Sequence, residues 1–221
     1  MSTPILDYDL DKSLQNAYFH EKRAFFVSGA TRSYSFRKAQ LKKLKRAIES
    51  YEKEIIQALH MDLHKPELEA FTSEIAFTYT EINHTLKNLK SWMKPDKVST
   101  SMIHFPSSSK VIKDPLGVCM IIGPWNYPFQ LQIAPLIGAI AGGNVAVLKP
   151  SEMTPHTARV IELLIDETFD REYISVVQGN GAEVVPALMD EHHFDHIFFT
   201  GSEGVGKKIA EQAAQKLTPV T

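Results

Sequence analysis

A single cysteine, Cys119, stands among 221 residues, which excludes an intramolecular disulfide and favours a reducing compartment. Net charge is nearly absent as well. The 24 Lys and Arg and 26 Asp and Glu leave a formal charge of -2, too little for a global attraction to nucleic acid or an anionic membrane. No apolar run reaches the ~18 residues a membrane helix needs, because Gly, Pro and Asn interrupt every candidate. The opening residues, MSTPILDYDLDK, lack both an early basic stretch and an apolar run, so no secretory signal is expected. Repeats and low-complexity segments are also missing. A cytoplasmic globular protein is the expectation, and 43% hydrophobic with 23% charged residues suit one or two domains with a sizeable core.

What is present concentrates between Asp114 and Glu152. Val118 to Ile122 is a short apolar run bounded by Pro115-Leu116-Gly117 and Gly123-Pro124, which predicts a buried strand. Phe129 to Ala141 predicts a helix apolar nearly all round, and Val145 to Leu148 a second strand running into Lys149-Pro150-Ser151-Glu152. Strand, helix and strand with short connections make a βαβ unit, so both loops share the carboxyl edge of a parallel sheet, where open α/β sheets bind ligands.

Upstream, residues 1–12 carry no pattern and are expected to form a loose arm. Helices are expected over Leu14 to Val27, from a Ser35 cap along the stripe Leu41, Leu44, Ile48, Tyr51, Ile55 and Leu59, and from Glu67 to Met93 with Leu68, Phe71, Ile75, Ile82, Leu86, Leu89 and Trp92 inward. The cations Lys38, Lys42, Lys43, Lys45 and Arg46 are followed within two turns by Glu49, Glu52 and Glu54, which reads as a solvated face rather than a nucleic-acid patch. Val98 to Phe105 and Lys110 to Lys113 read as two strands joined at Pro106 to Ser109. Downstream come a helix over Thr154 to Phe169 with Val160, Leu163 and Leu164 inward, a strand at Ile174 to Val177, a helix around Ala182 to Met189, a strand at His196 to Thr200, and a helix over Val205 to Lys216.

Two glycine-rich turns compete as phosphate sites. Gly201-Ser202-Glu203-Gly204-Val205-Gly206-Lys207 opens a helix after a strand, where backbone N–H groups and the helix dipole favour an anion. It fits a P-loop up to its last position, where Lys208 replaces the Ser or Thr that would hold Mg²⁺. Gly179-Asn180-Gly181-Ala182-Glu183-Val184 lacks the third glycine of a dinucleotide fingerprint. A plain glycine-rich turn stays open for both. Cys119 lies mid-strand and reads as a buried structural thiol, not a nucleophile. His192, His193 and His196 have no spaced partners that complete a zinc set, so no metal site is expected.

The words PLGVCMIIGPWNYP, GNVAVLKPSE and FTGSEGVGKKI resemble the aldehyde dehydrogenase superfamily, and its shorter class 3 type most. The resemblance runs from about Ala17 to Thr221. It implies an α/β fold with a Rossmann-like open parallel sheet, helices on both faces and amino-terminal helices packed against it. Residues 1–97 would form the helical part of the cofactor domain, 98–113 a β-hairpin arm taking part in oligomer contacts, and 114–221 a Rossmann-like NAD(P)-binding region.

The function implied is NAD(P)-dependent oxidation of an aldehyde to a carboxylic acid, by a parent enzyme expected to be a homodimer. The carry-over makes Asn126 an oxyanion-hole donor. It makes Ile122, Pro124, Trp125, Lys149, Ser151, Glu152, Gly181, Phe199, Thr200, Gly201, Ser202, Val205 and Gly206 cofactor contacts. Within them Ser202 meets the pyrophosphate, and Lys149 with Glu152 meets the adenosine ribose. Glu152 is expected to favour NAD over NADP by repelling a 2′-phosphate. The family's LELGG word, with its glutamate, and its GQxC cysteine have no counterpart here, so an inactive amino-terminal half is expected. A non-catalytic dinucleotide-binding module and an acyl phosphate or acyl-CoA reductase relative are the alternatives.

Overall fold

The computed structural model describes residues 17–221, so the expected loose arm and the Leu14 start of the first helix lie outside the described residues. Helix α1 (Phe19–Val27) ends at Ser28, followed by left-handed Gly29. Ser33, not Ser35, caps α2 (Tyr34–Ser50): its backbone is extended and its Oγ accepts from the Phe36 amide at 3.1 Å, whereas Ser35 is already helical. The expected single stripe is two helices. The chain breaks at Tyr51 (φ -99°, ψ 8°) before α3 (Glu52–Leu63), yet Leu41, Leu44, Ile48, Ile55 and Leu59 are all fully buried.

The next helix is also interrupted. Short α4 (Glu67–Ala70) runs through a π-helical turn (Phe71–Ile75) into α5 (Ala76–Trp92). The wider turn rotates the inward face. Ala70, Glu74, Ile75, Ile82 and Leu89 are therefore buried, while Leu68 and Trp92, expected to be inward, are 75% and 42% exposed.

The arm is a hairpin of different extent. Strand β1 (Asp96–Val98) pairs antiparallel with β2 (Ser109–Val111), Asp96 opposite Val111. Residues 99–105 are not a strand, because Pro106 offers no ladder donor and Ser101 to His104 close on themselves, the His104 amide donating to the Ser101 carbonyl at 2.9 Å.

The central prediction holds nearly to the residue. Strands β3 (Val118–Ile122), β4 (Val145–Lys149), β5 (Ile174–Val176) and β6 (His196–Phe199) form a parallel sheet in the order β5-β4-β3-β6. Every residue of β3, β4 and β5 is buried, which is why these strands read as continuous apolar runs rather than alternating ones. Between them come α6 (Gln130–Gly142), α7 (Pro155–Thr168) and α8 (Gly181–Glu191), with α9 (Glu203–Ala214) after β6. In α7 the buried face is Ile161, Leu164 and Ile165, with Val160 and Leu163 at its margin.

The chain moves from β3 outward to β4 and β5, then returns across the sheet to β6. Right-handed crossovers therefore put α6 and α7 on one face and α8 on the other. Helix α9 packs beside α8, α1 packs on β3 and β4, and α2 and α5 pack on α6. On the far side of β6 an isolated parallel bridge joins Ile197 to Val220. Strand order thus reverses between β3 and β6, whose following helices diverge to opposite faces and open a crevice at the carboxyl edge.

Candidate functional site

Backbone bonds hold the strand ends in one line along that edge. The Gly123 amide donates to the Lys149 carbonyl and the Thr200 amide to the Ile122 carbonyl, both at 3.1 Å. This sets Lys149, Ile122 and Thr200 side by side. The loops carrying Pro124, Trp125 and Asn126, Ser151 and Glu152, and Gly201 and Ser202 all leave from this line.

Lys149 ends β4 and is 1% exposed. Its Nζ donates to the Pro150 carbonyl at 2.7 Å and to Glu152 Oε2 at 3.1 Å, while Glu152 Oε1 accepts from the Gly181 amide at 3.1 Å. Burial lowers the Lys149 ammonium pKa, offset in part by Glu152. For Glu152 burial acts upward, but the Lys149 charge and hydrogen bonds that include the Gly181 amide outweigh it and hold the carboxyl below its ordinary range. The two members shift alike because one is sealed and the other half-open. Glu152 is therefore the member that faces solvent. Ser151 turns inward, its Oγ accepting from the Met153 amide at 3.2 Å.

At β6, Phe199 packs beneath the turn into α9. A side chain on Gly201 would place its Cβ 2.4 Å from Phe199 Cζ, so only glycine lets the turn lie on the ring. Ser202 has the extended backbone of a cap, yet its side chain caps nothing. Ser202 and Val205 are exposed, and Gly206 is half-buried.

The four helices that start at this edge are finished differently. At α6, Glu74 Oε2 accepts from the Phe129 and Gln130 amides at 2.9 and 3.1 Å. At α7, Asp62 accepts from the His156 and Thr157 amides at 3.2 and 2.7 Å. At α8, Glu152 takes the Gly181 amide and Asn180 Oδ1 that of Ala182 at 3.0 Å. At α9, among the described residues, no side chain accepts from the first turn. The sequence singled out Glu152 and Ser202 but not Asp62, Glu74 or Lys65. A lone carboxylate on an otherwise apolar helix face was the only signal for Glu74.

Asn126 is exposed. Its Oδ1 accepts from the Tyr127 amide at 3.1 Å and its carbonyl from Lys65 Nζ at 3.0 Å, leaving the carboxamide nitrogen without a partner among the described residues. Cys119 is buried in β3, where desolvation pushes its thiol up to about 12, so it is not an ionised nucleophile near neutrality. Among the described residues no cluster of His, Cys, Asp and Glu could hold a metal, and no helix is long and apolar enough to cross a membrane.

The sequence profile of the aldehyde dehydrogenase family matches residues 10–221. The chain belongs to the aldehyde dehydrogenase family. It is similar to 4,4'-diaponeurosporen-aldehyde dehydrogenase of Staphylococcus aureus, 50% identical over 92% of this chain and 44% of that protein. It is also similar to the class 3 relative aldehyde dehydrogenase family 3 member I1, chloroplastic, of Arabidopsis thaliana, 46% identical over 90% of this chain and 36% of that protein. The chain thus spans less than half the length of these relatives. Among solved structures, the substrate-bound state of Staphylococcus aureus AldH superposes with a TM-score of 0.90 at 47% identity, covering 97% of this chain and 45% of that one. The NAD+ complex of the aldehyde dehydrogenase of Bacillus cereus superposes with a TM-score of 0.80 at 28% identity, covering 96% and 42%.

Proposed function

We propose that this chain forms the dinucleotide-binding part of an NAD(P)-dependent aldehyde dehydrogenase that converts aldehydes to carboxylic acids. The observation that carries the reading is the unfilled start of α9 beside the solvent-facing Glu152. Three of the four helix N-termini at the carboxyl edge are neutralised by carboxylates of the chain, and the fourth offers its amides and the Ser202 hydroxyl to an outside anion. Neighbouring structures that hold NAD+ support the same ligand.

In this reading the first turn of α9 and Ser202 hold the pyrophosphate, with Thr200, Gly201 and Gly206 shaping the turn and Phe199 supporting it. Glu152, braced by Lys149 and Gly181, accepts from the ribose hydroxyls and disfavours a 2′-phosphate. Ile122, Pro124, Trp125, Ser151 and Val205 line the crevice. The bound nicotinamide supplies the hydride acceptor. Asn126 donates from its carboxamide to the oxyanion that develops when a thiolate attacks the aldehyde carbon, a contact worth about 2.7 to 4 kcal/mol in comparable sites. The thiolate and the family's glutamate base come from outside these 221 residues, so the chain alone is inactive. The arm, whose Met102, Ile103 and Phe105 are 84 to 90% exposed, serves contact with a second copy.

The test is a titration of the folded chain with NAD and NADP followed by tryptophan fluorescence, with Ser202→Asp as the control. Saturable binding that the control loses is expected, since an added carboxylate would occupy the amides meant for phosphate. Absence of binding by a folded sample, or binding indifferent to Ser202→Asp, would overturn the assignment.

A further inference from the structure

Glu74 is fully buried, an expensive place for a charge unless every lone pair is used. Here one oxygen is used on a lysine and the other on one loop. Oε1 meets Lys65 Nζ at 2.5 Å, and Oε2 accepts from the Phe129 and Gln130 amides. Lys65 is itself 8% exposed, donates to the Asn126 carbonyl and lies 4.1 Å from the centroid of the Tyr127 ring. One ion pair therefore grips the segment from both ends, Asn126 through its carbonyl and Phe129 through its amide. The π-helical turn makes this possible by rotating Glu74 onto the inward face. An apolar pair of similar volume commonly stabilises as well as a buried ion pair, so stability alone does not explain this one. What an apolar pair cannot do is fix the orientation of a peptide group.

We infer that Lys65 and Glu74 are positioning residues that hold the Asn126 carboxamide in donor orientation across the crevice. With the Asn126 carbonyl tied to Lys65 and its Oδ1 tied to the Tyr127 amide, the remaining freedom of the side chain is small, and no acceptor among the described residues takes its N–H groups. Neither residue touches a reacting group. The inference rests on the reading of Asn126 as an oxyanion donor, but its physical content, a loop held by one ion pair, is measurable without substrate or nucleotide.

The experiment is ¹⁵N relaxation and amide hydrogen exchange on the 221-residue chain, comparing the native protein with Lys65→Gln, Glu74→Gln and Lys65→Arg. In Lys65→Gln, backbone order parameters of Trp125 to Tyr127 are expected to fall from the rigid range of about 0.85 to below about 0.6. The Asn126 side-chain amide is expected to broaden or lose dispersion, and exchange in the loop to rise at least ~10-fold while β5 and α8 stay protected. Lys65→Arg, which can reach both acceptors, is expected to restore the loop. Glu74→Gln gives the same readout independently, so if one variant does not fold the other decides. A loop as rigid as native in a folded variant, or a uniform rise in exchange over the whole chain, would overturn the inference. Failure of the native chain to bind NAD would instead count against the dinucleotide reading and leave this result standing.

Discussion

The starts of α6 and α9 lie at the same sheet edge and follow adjacent strands, yet one is buried under the chain's own carboxylate and the other is open. At α6 the cap arrives from another helix, paired to a lysine and shut off from water. At α9 the residue in cap position is a serine that caps nothing, and the first-turn Glu203 turns away to Lys207 at 2.6 Å. A helix start left unfinished amid finished ones keeps amides and dipole free for an anion, which is what the proposed pyrophosphate site uses. The finished one carries geometry instead.

The strongest way to break this comparison is to empty the filled terminus. Glu74→Ala leaves the buried Lys65 ammonium without its carboxylate and the Phe129 and Gln130 amides without an acceptor, and is expected to cost about 3 to 5 kcal/mol, visible as a lowered midpoint in urea with little change in slope. A loss under ~1 kcal/mol would mean that water replaces the carboxylate, and that the two termini differ less than their contacts suggest.

A buried cation that no carboxylate among the described residues seals sharpens the same contrast. Lys22 is fully buried and donates to the Arg171 carbonyl, while Glu172, Glu21 and Asp166 act on it only at longer range. Desolvation lowers its pKa to about 7 from an ordinary 10.5. Below pH 7 it is charged folded and unfolded, and the burial cost is present in full. Between pH 7 and 10.5 the folded chain gives up a proton that the unfolded chain keeps, so stability rises with pH across this window, at no more than ~1.4 kcal/mol per unit. Lys22→Met is expected to flatten that rise in pH-dependent melts. A slope that survives the substitution would assign it to other groups.

The difference between the two termini was half legible in the sequence. The open one is local: strand, glycine turn, serine and helix follow one another from His196 to Gly206, and every element can be read from neighbouring residues. The β3-α6-β4 unit was legible for the same reason, its apolar runs being bounded by glycine and proline. The filled terminus is tertiary. Glu74 lies 55 residues from the Phe129 amide it accepts from, and Asp62 lies 95 residues from that of Thr157. The π-helical turn that carries Glu74 inward has no periodicity of its own to reveal it, so the apolar pattern puts Leu68 inside and gives no sign of Glu74. Ser33 and Ser35 are separable only by backbone angles, and residues 99–105 look extended in sequence but have no strand to pair with.

Smaller, but with two readouts of opposite sign, is Ser202→Asp. An aspartate in cap position accepts from the amides that Ser202 leaves alone and adds a charge favourable to the helix dipole, so the free protein should gain on the order of 1 kcal/mol of stability. The same carboxylate would occupy the proposed anion site and repel a phosphate, so NAD affinity should collapse. A variant that both stabilises the fold and abolishes binding distinguishes a blocked site from a damaged one. Were the variant less stable than native, the α9 terminus would already be satisfied by some group, and the contrast with α6 would fail.

The smallest expected effect is at Glu203, and it separates the dipole from the hydroxyl. Its carboxylate is 83% exposed in the first turn of α9, close enough to weaken an incoming phosphate but screened by water and by Lys207. Glu203→Gln should raise NAD affinity by no more than about five-fold at low salt, with the gain fading as ionic strength shortens the Debye length to about 8 Å near physiological salt. Glu152→Gln, by contrast, should narrow the preference for NAD over NADP whatever the salt, because its carboxylate sits between Lys149 and the Gly181 amide and, in the proposed reading, accepts directly from the ribose. If Glu203→Gln shifted the NAD to NADP ratio and Glu152→Gln did not, the nucleotide would lie reversed along the edge, with its ribose at α9 rather than at β4.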